Sequence, residues 1–357
     1  MIVGINWYLR WGHSHGLPIT NGYLSLIQIV PAILIVTTLH EAGHAAVGRA
    51  LGMKSRAFVV GPFQWRICDG QWRFQFLPVK FFSGGLTSQV PANSEFSRWK
   101  ETWMIAGGPL ASLLAGVVAL SLTLTAAGKS YERFWEFFGL VATVSLGGFA
   151  LNLIPGRSGV NYTDGAQIYQ LLRGGSWAAL HHLMNVADSM QVTTLRPKDF
   201  DIHAIQRLCL SFERGRQGFQ LRLLASSYFL DSGMISQACD AVAEAERIYN
   251  ESPWDTSAEL CMAFVYRTAF LRHDATAARR WWDRMEAKKP THFGVDYWLA
   301  KSALSWIEGH AGEAREAWEK GNLMAQKLPA AGDYEFDRYR CSLLRDCIEK
   351  MEPSLAS

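Results

Sequence analysis

The sequence predicts a mainly α membrane protein in two parts. A three-helix transmembrane core with a small membrane-associated β-hairpin sheet comes first, and a soluble α-helical repeat domain follows. Three observations lead there. The run Tyr23 to Leu39 carries no charged residue. Acidic and basic residues stay sparse up to about residue 155 and are dense after about residue 195. Beyond residue 195, small-then-large packing positions recur at helical spacing.

The chain of 357 residues has room for two or so domains. Its blend of 49% apolar and 19% charged residues, with 14 tryptophans, suits a chain that is part membrane and part soluble. A net charge of +3 is too small to imply a nucleic-acid partner, no basic tract or zinc-finger spacing supports one, and none is expected. The cysteines (Cys68, Cys209, Cys239, Cys261, Cys341 and Cys347) form no C-x-x-C pair. All but Cys68 lie in the C-terminal half, which suggests reduced thiols in a cytosolic-facing domain. Arg10 alone precedes the first apolar run, and no signal-peptide pattern is expected there.

Residues 1–22 read as an aromatic-tinged tail (Trp7, Tyr8, Trp11) resting at the membrane interface. His13 and His15 read as part of that solvated tail. The core is expected over residues 23–190, with spans at about 23–47, 102–127 and 134–154. Between the first two spans, residues 54–90 form a hairpin region. Arg56–Val60, Gln64–Cys68 and Gln71–Leu77 are aromatic and β-branched, and Asp69-Gly70 is a two-residue hairpin turn signal. The loop from Arg49 to Lys100 sets Arg49, Lys54, Arg56, Arg66, Arg73, Lys80, Arg98 and Lys100 against Asp69 and Glu95. By the positive-inside rule this loop is cytoplasmic, which puts the N-terminus outside and makes the protein multi-pass in a cell membrane, read as bacterial.

In the second span Gly108, Ser112 and Gly116 recur every fourth residue, as do Ala111, Ala115 and Ala119. Such a stripe lets helices approach closely in lipid and predicts tight packing on the first span. Lys129–Arg133 reads as a short outer turn. Residues 156–194 are transitional, with His181 and His182 on an amphipathic juxtamembrane helix. From 195 to 357, Ala238, Val242 and Ala245 reappear in kind as Ala278, Trp282 and Met285, then as Ala314, Trp318 and Gly321. The interval is roughly 36–40 residues, near the ~34 of tetratricopeptide helix pairs. A generic helical bundle is the competing reading.

The chemistry concentrates in His40-Glu41-Ala42-Gly43-His44. On a helix the two histidines of H-E-x-x-H share one face and can hold one Zn²⁺, with the glutamate beside it to handle protons. Ionisable residues at the end of an apolar span are costly and mark function. A catalytic zinc wants a third protein ligand. Asp164, just past the third span, returns to the side of His40 and His44, whereas Glu132 and Glu136 fall at the opposite face.

His40-Glu41-x-x-His44 at the end of a span, Gly108-Pro109 in a later span, and Asn152-x-x-Pro155 followed by Asp164-Gly165 together resemble the site-2 protease family of intramembrane zinc metalloproteases. The resemblance covers roughly residues 20–170. It implies zinc held by His40, His44 and Asp164, Glu41 as catalytic carboxylate, and Asn152 holding the substrate backbone or the developing oxyanion. It also implies that a substrate strand adds to the hairpin sheet. The gap from Asn152 to Asp164 is about four residues longer than the family spacing, and Thr163 stands where leucine is common.

The expected function is hydrolysis of a peptide bond in a membrane protein or peptide substrate near the cytoplasmic face, as in regulated intramembrane proteolysis. The expected partners are that substrate, the lipid bilayer, and a protein docked on the C-terminal helices. Two other readings stand beside it: a housekeeping peptidase for signal-peptide remnants or peptide precursors, and a non-catalytic membrane scaffold working through the helical repeats. Three spans without an inverted repeat give a transporter little support.

Overall fold

The computed structural model describes residues 22–78, 84–95, 97–125, 132–158, 161–290 and 293–351. The tail aromatics Trp7, Tyr8 and Trp11, His13 and His15, and most of the turn at 129–133 lie outside these residues. Two compact units are present, Met1–His182 and Leu183–Ser357. The boundary at His182 falls earlier along the chain than residue 190.

The first unit begins with α1 (Gly22–Ala50). A four-stranded antiparallel sheet follows: β1 (Lys54–Val60), β2 (Phe63–Cys68), β3 (Gln71–Phe76) and β4 (Gly85–Val90), in the order β3-β2-β1-β4. Then come α2 (Arg98–Thr125) and α3 (Glu132–Leu153). Ile27–Ala50, Arg98–Thr125 and Phe134–Leu153 are long and apolar enough to cross a membrane. The outward face of α2 exposes Leu110, Leu114, Val117, Leu120 and Leu124, as a lipid-facing helix does. Several hydroxyls within the spans turn back onto their own helix. Thr38 donates to the Leu34 carbonyl, Thr123 to Ala119 and Thr143 to Gly139, so no hydroxyl hydrogen among these meets lipid unpaired.

Small residues of α2 serve two neighbours, and the close crossing with α1 falls at Gly107, next to the expected stripe. A Cβ added at Gly107 would overlap the Gly43 carbonyl, and one at Gly43 would overlap the Gly107 carbonyl and Ala111. The α1 and α2 backbones therefore touch at this crossing. Gly116 instead lies against Leu146 and Ser145 of α3. Further along, Ala32, Val36, Ala119, Leu140, Val141 and Ala142 form the common core of the three helices.

In the sheet, the Asp69-Gly70 turn has both residues at positive φ (52° and 73°), as a tight hairpin turn of type I′ requires. β2 and β3 pair from Phe63↔Phe76 to Cys68↔Gln71. Their aromatic face, with Phe63 on Phe76 and Trp65 on Phe74, is largely exposed, and Trp72 extends it. The fourth strand was not expected. β4 pairs antiparallel with β1, from Lys54↔Val90 to Val60↔Gly85, although Gly84-Gly85 reads in sequence as loop punctuation. It forms because β1 otherwise has an open edge beside α1, and Thr87 and Gln89 reach that helix.

After α3 a short pair, β5 (Arg157–Ser158) and β6 (Asn161–Tyr162), takes up the long interval before Asp164. Then follow α4 (Asp164–Arg173) and α5 (Ser176–Ser189). Leu171 and Ala178 pack on Met53, Met104 and Ile105, so this corner covers the start of α2.

The second unit, from Leu183, is helical among its described residues. It contains a 3-10 turn (Pro197–Asp199) and α6 (Ile202–Ser211). Three helical hairpins follow: α7 (Gly215–Asp231) with α8 (Ile235–Glu251), α9 (Ala258–Phe270) with α10 (Ala275–Ala287), and α11 (Val295–Ile307) with α12 (Ala311–Lys327). The last helix is α13 (Gly332–Met351). Side-chain caps start several of these helices: Asp201 on α6, Ser257 on α9 and Asp274 on α10. Each hairpin turns on one left-handed residue, Gly233, His273 and Gly309, spaced as Ala238, Ala278 and Ala314 are. Those three alanines are fully buried, as are Val242, Ala245 and Met285. The core is built from large side chains, with Trp281, Tyr266, Phe219 and Phe264 almost wholly out of water.

Candidate metal centre

Two helices, α1 and α4, bring three donors together. His40 and His44 lie one turn apart on α1, their rings edge-to-face with centroids 4.8 Å apart. Asp164 opens α4. Its Oδ2 lies 3.1 Å from His40 Nε2 and 3.7 Å from His44 Nε2, and the two Nε2 atoms are 3.1 Å apart. Among the described residues this is the one His/Cys/Asp/Glu group of three that could hold a metal. Glu136 sits near the start of α3, at its opposite end.

The donor set can be tested against zinc. Ligands at about 2.0–2.2 Å in a tetrahedron are about 3.3–3.5 Å apart, which the observed separations bracket. Both histidines are buried, and each Nδ1 has its own partner on α2, which leaves Nε2 to face Asp164. His44 Nδ1 donates to the Met104 carbonyl (3.0 Å). His40 Nδ1 lies 2.9 Å from Ser112 Oγ. Two imidazole nitrogens and one carboxylate oxygen are the donors of a catalytic zinc site with a fourth position open. The residues present fit the metal.

Asp164 is held from behind. Thr163 caps α4 by accepting from the Ala166 N–H, and its hydroxyl donates to the Ile154 carbonyl at the end of α3. Its backbone N–H also donates to the Gly156 carbonyl. A leucine at this position could do neither side-chain job. Gly165 lies so close to the Leu153 carbonyl that any Cβ there would overlap it. The Thr-Asp-Gly run thus docks the first turn of α4 onto the end of α3.

Glu41, nearly fully buried, projects beside the histidines. Its carboxylate lies against Gly85 of β4, where a side chain would overlap it, and Thr87 donates to its backbone carbonyl (3.1 Å). Gly108 clears space on the other side, since a Cβ there would overlap the His44 ring. Asn152 lies in the last turn of α3, half-buried, and makes no hydrogen bond to His40, Glu41, His44 or Asp164.

Beside the donors, Glu101 in the first turn of α2 is buried and its Oε1 meets His182 Nδ1 at 2.5 Å. His182 Nε2 donates to the Ser94 carbonyl (3.2 Å). The juxtamembrane histidine is thus a tether between α5, α2 and the β4–α2 connection. Sequence reading found the donors but missed their supports. Ser112 stood in the small-residue stripe as a packing residue, and a carbonyl such as Met104's carries no sequence signal at all.

The profile of peptidase family M50, the site-2 proteases, matches residues 28–132. That segment holds the H-E-x-x-H helix, the sheet and α2. That stretch is similar to a zinc metalloprotease family, and Asp164 lies beyond it. A protein of Rhizobium meliloti (strain 1021), provisionally named a zinc metalloprotease, is 29% identical over 30% of this chain and 36% of its own length. The chain therefore spans about a third of the curated relative it matches. No solved structure matches the chain. The match does not reach the C-terminal helices, and no tetratricopeptide relationship follows from it.

Proposed function

We propose that the chain is an intramembrane zinc metalloendopeptidase that cleaves a membrane-bound protein or peptide near the cytoplasmic face. The observation that carries this reading is the convergence of His40 and His44, with Glu41 alongside on a helix apolar enough to span a bilayer, and Asp164, which opens α4 just past another such helix. Zinc at these donors supplies Lewis-acid polarisation of the scissile carbonyl and lowers the pKa of a water toward neutrality. Glu41 takes the proton of the attacking water and delivers one to the leaving amine. Asn152, in the last turn of α3, holds the substrate backbone or the developing oxyanion.

A peptide bond inside a helix is shielded by its own hydrogen bonds, so the substrate must unwind, and an added strand offers its freed backbone groups new partners. β4 is the sheet edge beside Glu41 and is the strand we assign to that pairing. The basic residues between α1 and α2 favour the cytoplasm for this end. In the second unit, the regular left-handed turns and buried packing positions support tetratricopeptide-like helix pairs that dock a protein partner or the substrate.

The test is cleavage of a single-span substrate by the full chain in detergent. Glu41→Gln should keep zinc bound and lose cleavage by about 10²–10⁴-fold, the usual span for a general base. Cleavage at the parent rate would sink the proposal.

A further inference from the structure

The two histidines are braced in chemically different ways. His44 Nδ1 faces the Met104 carbonyl, which can only accept, so this ring carries its proton on Nδ1 and presents Nε2 as a lone pair. His40 Nδ1 faces the Ser112 hydroxyl, which can accept or donate. With its proton on Nδ1, His40 donates to Ser112 Oγ and turns the Nε2 lone pair toward Asp164. With its proton on Nε2, His40 donates to Asp164 Oδ2, 3.1 Å away, and accepts from Ser112. A hydroxyl serves both arrangements, and a carbonyl serves one.

Ser112 is among the most buried residues of α2, so water does not replace its hydroxyl. It stands one turn beyond Gly108, whose missing side chain leaves room for the His44 ring. One stripe of α2 thus sets both rings, by space at Gly108 and by a hydrogen bond at Ser112.

We propose that Ser112 is a positioning residue for the metal centre. Its hydroxyl orients His40 and lets that ring change tautomer, so that Nε2 becomes a ligand without a buried polar atom losing its partner. The proposal rests on the zinc reading above. Loss of such an outer hydrogen bond typically weakens metal binding by about 10–100-fold.

The test is zinc affinity of the full chain in detergent, by competition with a chromophoric chelator, with the absorption spectrum of the cobalt-substituted protein as a second readout. Ser112→Ala should bind zinc about 10–100-fold more weakly and shift the cobalt spectrum. Ser112→Thr, which keeps the oxygen, should return affinity to within about threefold of the parent, since the outer hydrogen bond survives. Ser145→Ala removes another buried hydroxyl, on α3, whose oxygen has no hydrogen-bond partner, and should leave affinity unchanged. Parent-like affinity and spectrum in Ser112→Ala would overturn the proposal, as would equal losses in Ser112→Ala and Ser112→Thr. A parent chain that binds no zinc would instead overturn the metal reading itself, a result distinct from these.

Discussion

The two units of this chain hold their helices together by opposite means. In the first, α1 and α2 meet where Gly43 faces Gly107, backbone on backbone, and the polar atoms between them belong to the metal centre. In the second, the helices are spaced by large side chains: Trp281 lies tilted between the rings of Tyr249 and Phe264, and its indole N–H donates to Glu246. The contrast is the one expected between helices packed in lipid and helices packed in water. In lipid, burying an apolar side chain gains little, so close approach and hydrogen bonds must do the holding. In water, removing aromatic surface from solvent drives packing, at about 25 cal/mol per Å². Deleting atoms should therefore hurt the second unit most, and adding atoms should hurt the first.

Three substitutions test that contrast. The largest effect is expected from Gly43→Val, which forces α1 away from α2 and carries His40 and His44 off their supports. Zinc content measured on the purified chain should fall to background, while alkylation of Cys341, a thiol that burial pushes up to about 12, stays slow. Rapid alkylation would show that the damage is not confined to the first unit. Next, Trp281→Ala should cost the second unit about 3–5 kcal/mol, as for large core aromatics. The urea midpoint for Cys341 exposure would drop, with zinc content unchanged. Parallel loss of zinc would break the contrast. The smallest effect is expected at His273, which holds φ at 50° in the middle turn where the other two hairpins use glycine. His273→Gly should raise the same midpoint slightly, by up to about 1 kcal/mol of relieved backbone strain. A lowered midpoint would mean that the His273 ring, edge-on to Trp306 at 5.3 Å, contributes more than the strain costs.

Much of the first unit was legible because its chemistry is written in residue types. An uncharged run, an H-E-x-x-H at its end, and a carboxylate returning after two spans suffice to bring His40, His44 and Asp164 together. The small-residue stripe was legible as packing, and Gly108 and Ser112 do face α1, whereas Gly116 turned out to serve α3 and Gly107, outside the stripe, makes the closest backbone contact. β4 was not legible. A strand of sequence Gly-Leu-Thr-Ser-Gln-Val lacks alternation, and only the open edge of β1 and the α1 surface make it one. Thr163 looked like a departure from the family pattern, yet its hydroxyl caps α4 and ties it to Ile154. The partnership of Glu101 with His182 joins residues far apart in sequence that no periodicity connects. In the second unit the packing alanines were readable, but the left-handed turns that space them needed the backbone.

The docking of Gly165 onto the Leu153 carbonyl also bears on how the protein comes into being. His40 and His44 lie on the first candidate span, whereas Asp164 follows the third and is held by the docking of Gly165 onto the Leu153 carbonyl at the end of α3. A chain caught midway through synthesis or insertion therefore carries two donors and no closed site. For a hydrolase proposed to work on other membrane segments, this order of assembly is a safeguard. The metal centre can close only after all three long helices of the core are present in the chain.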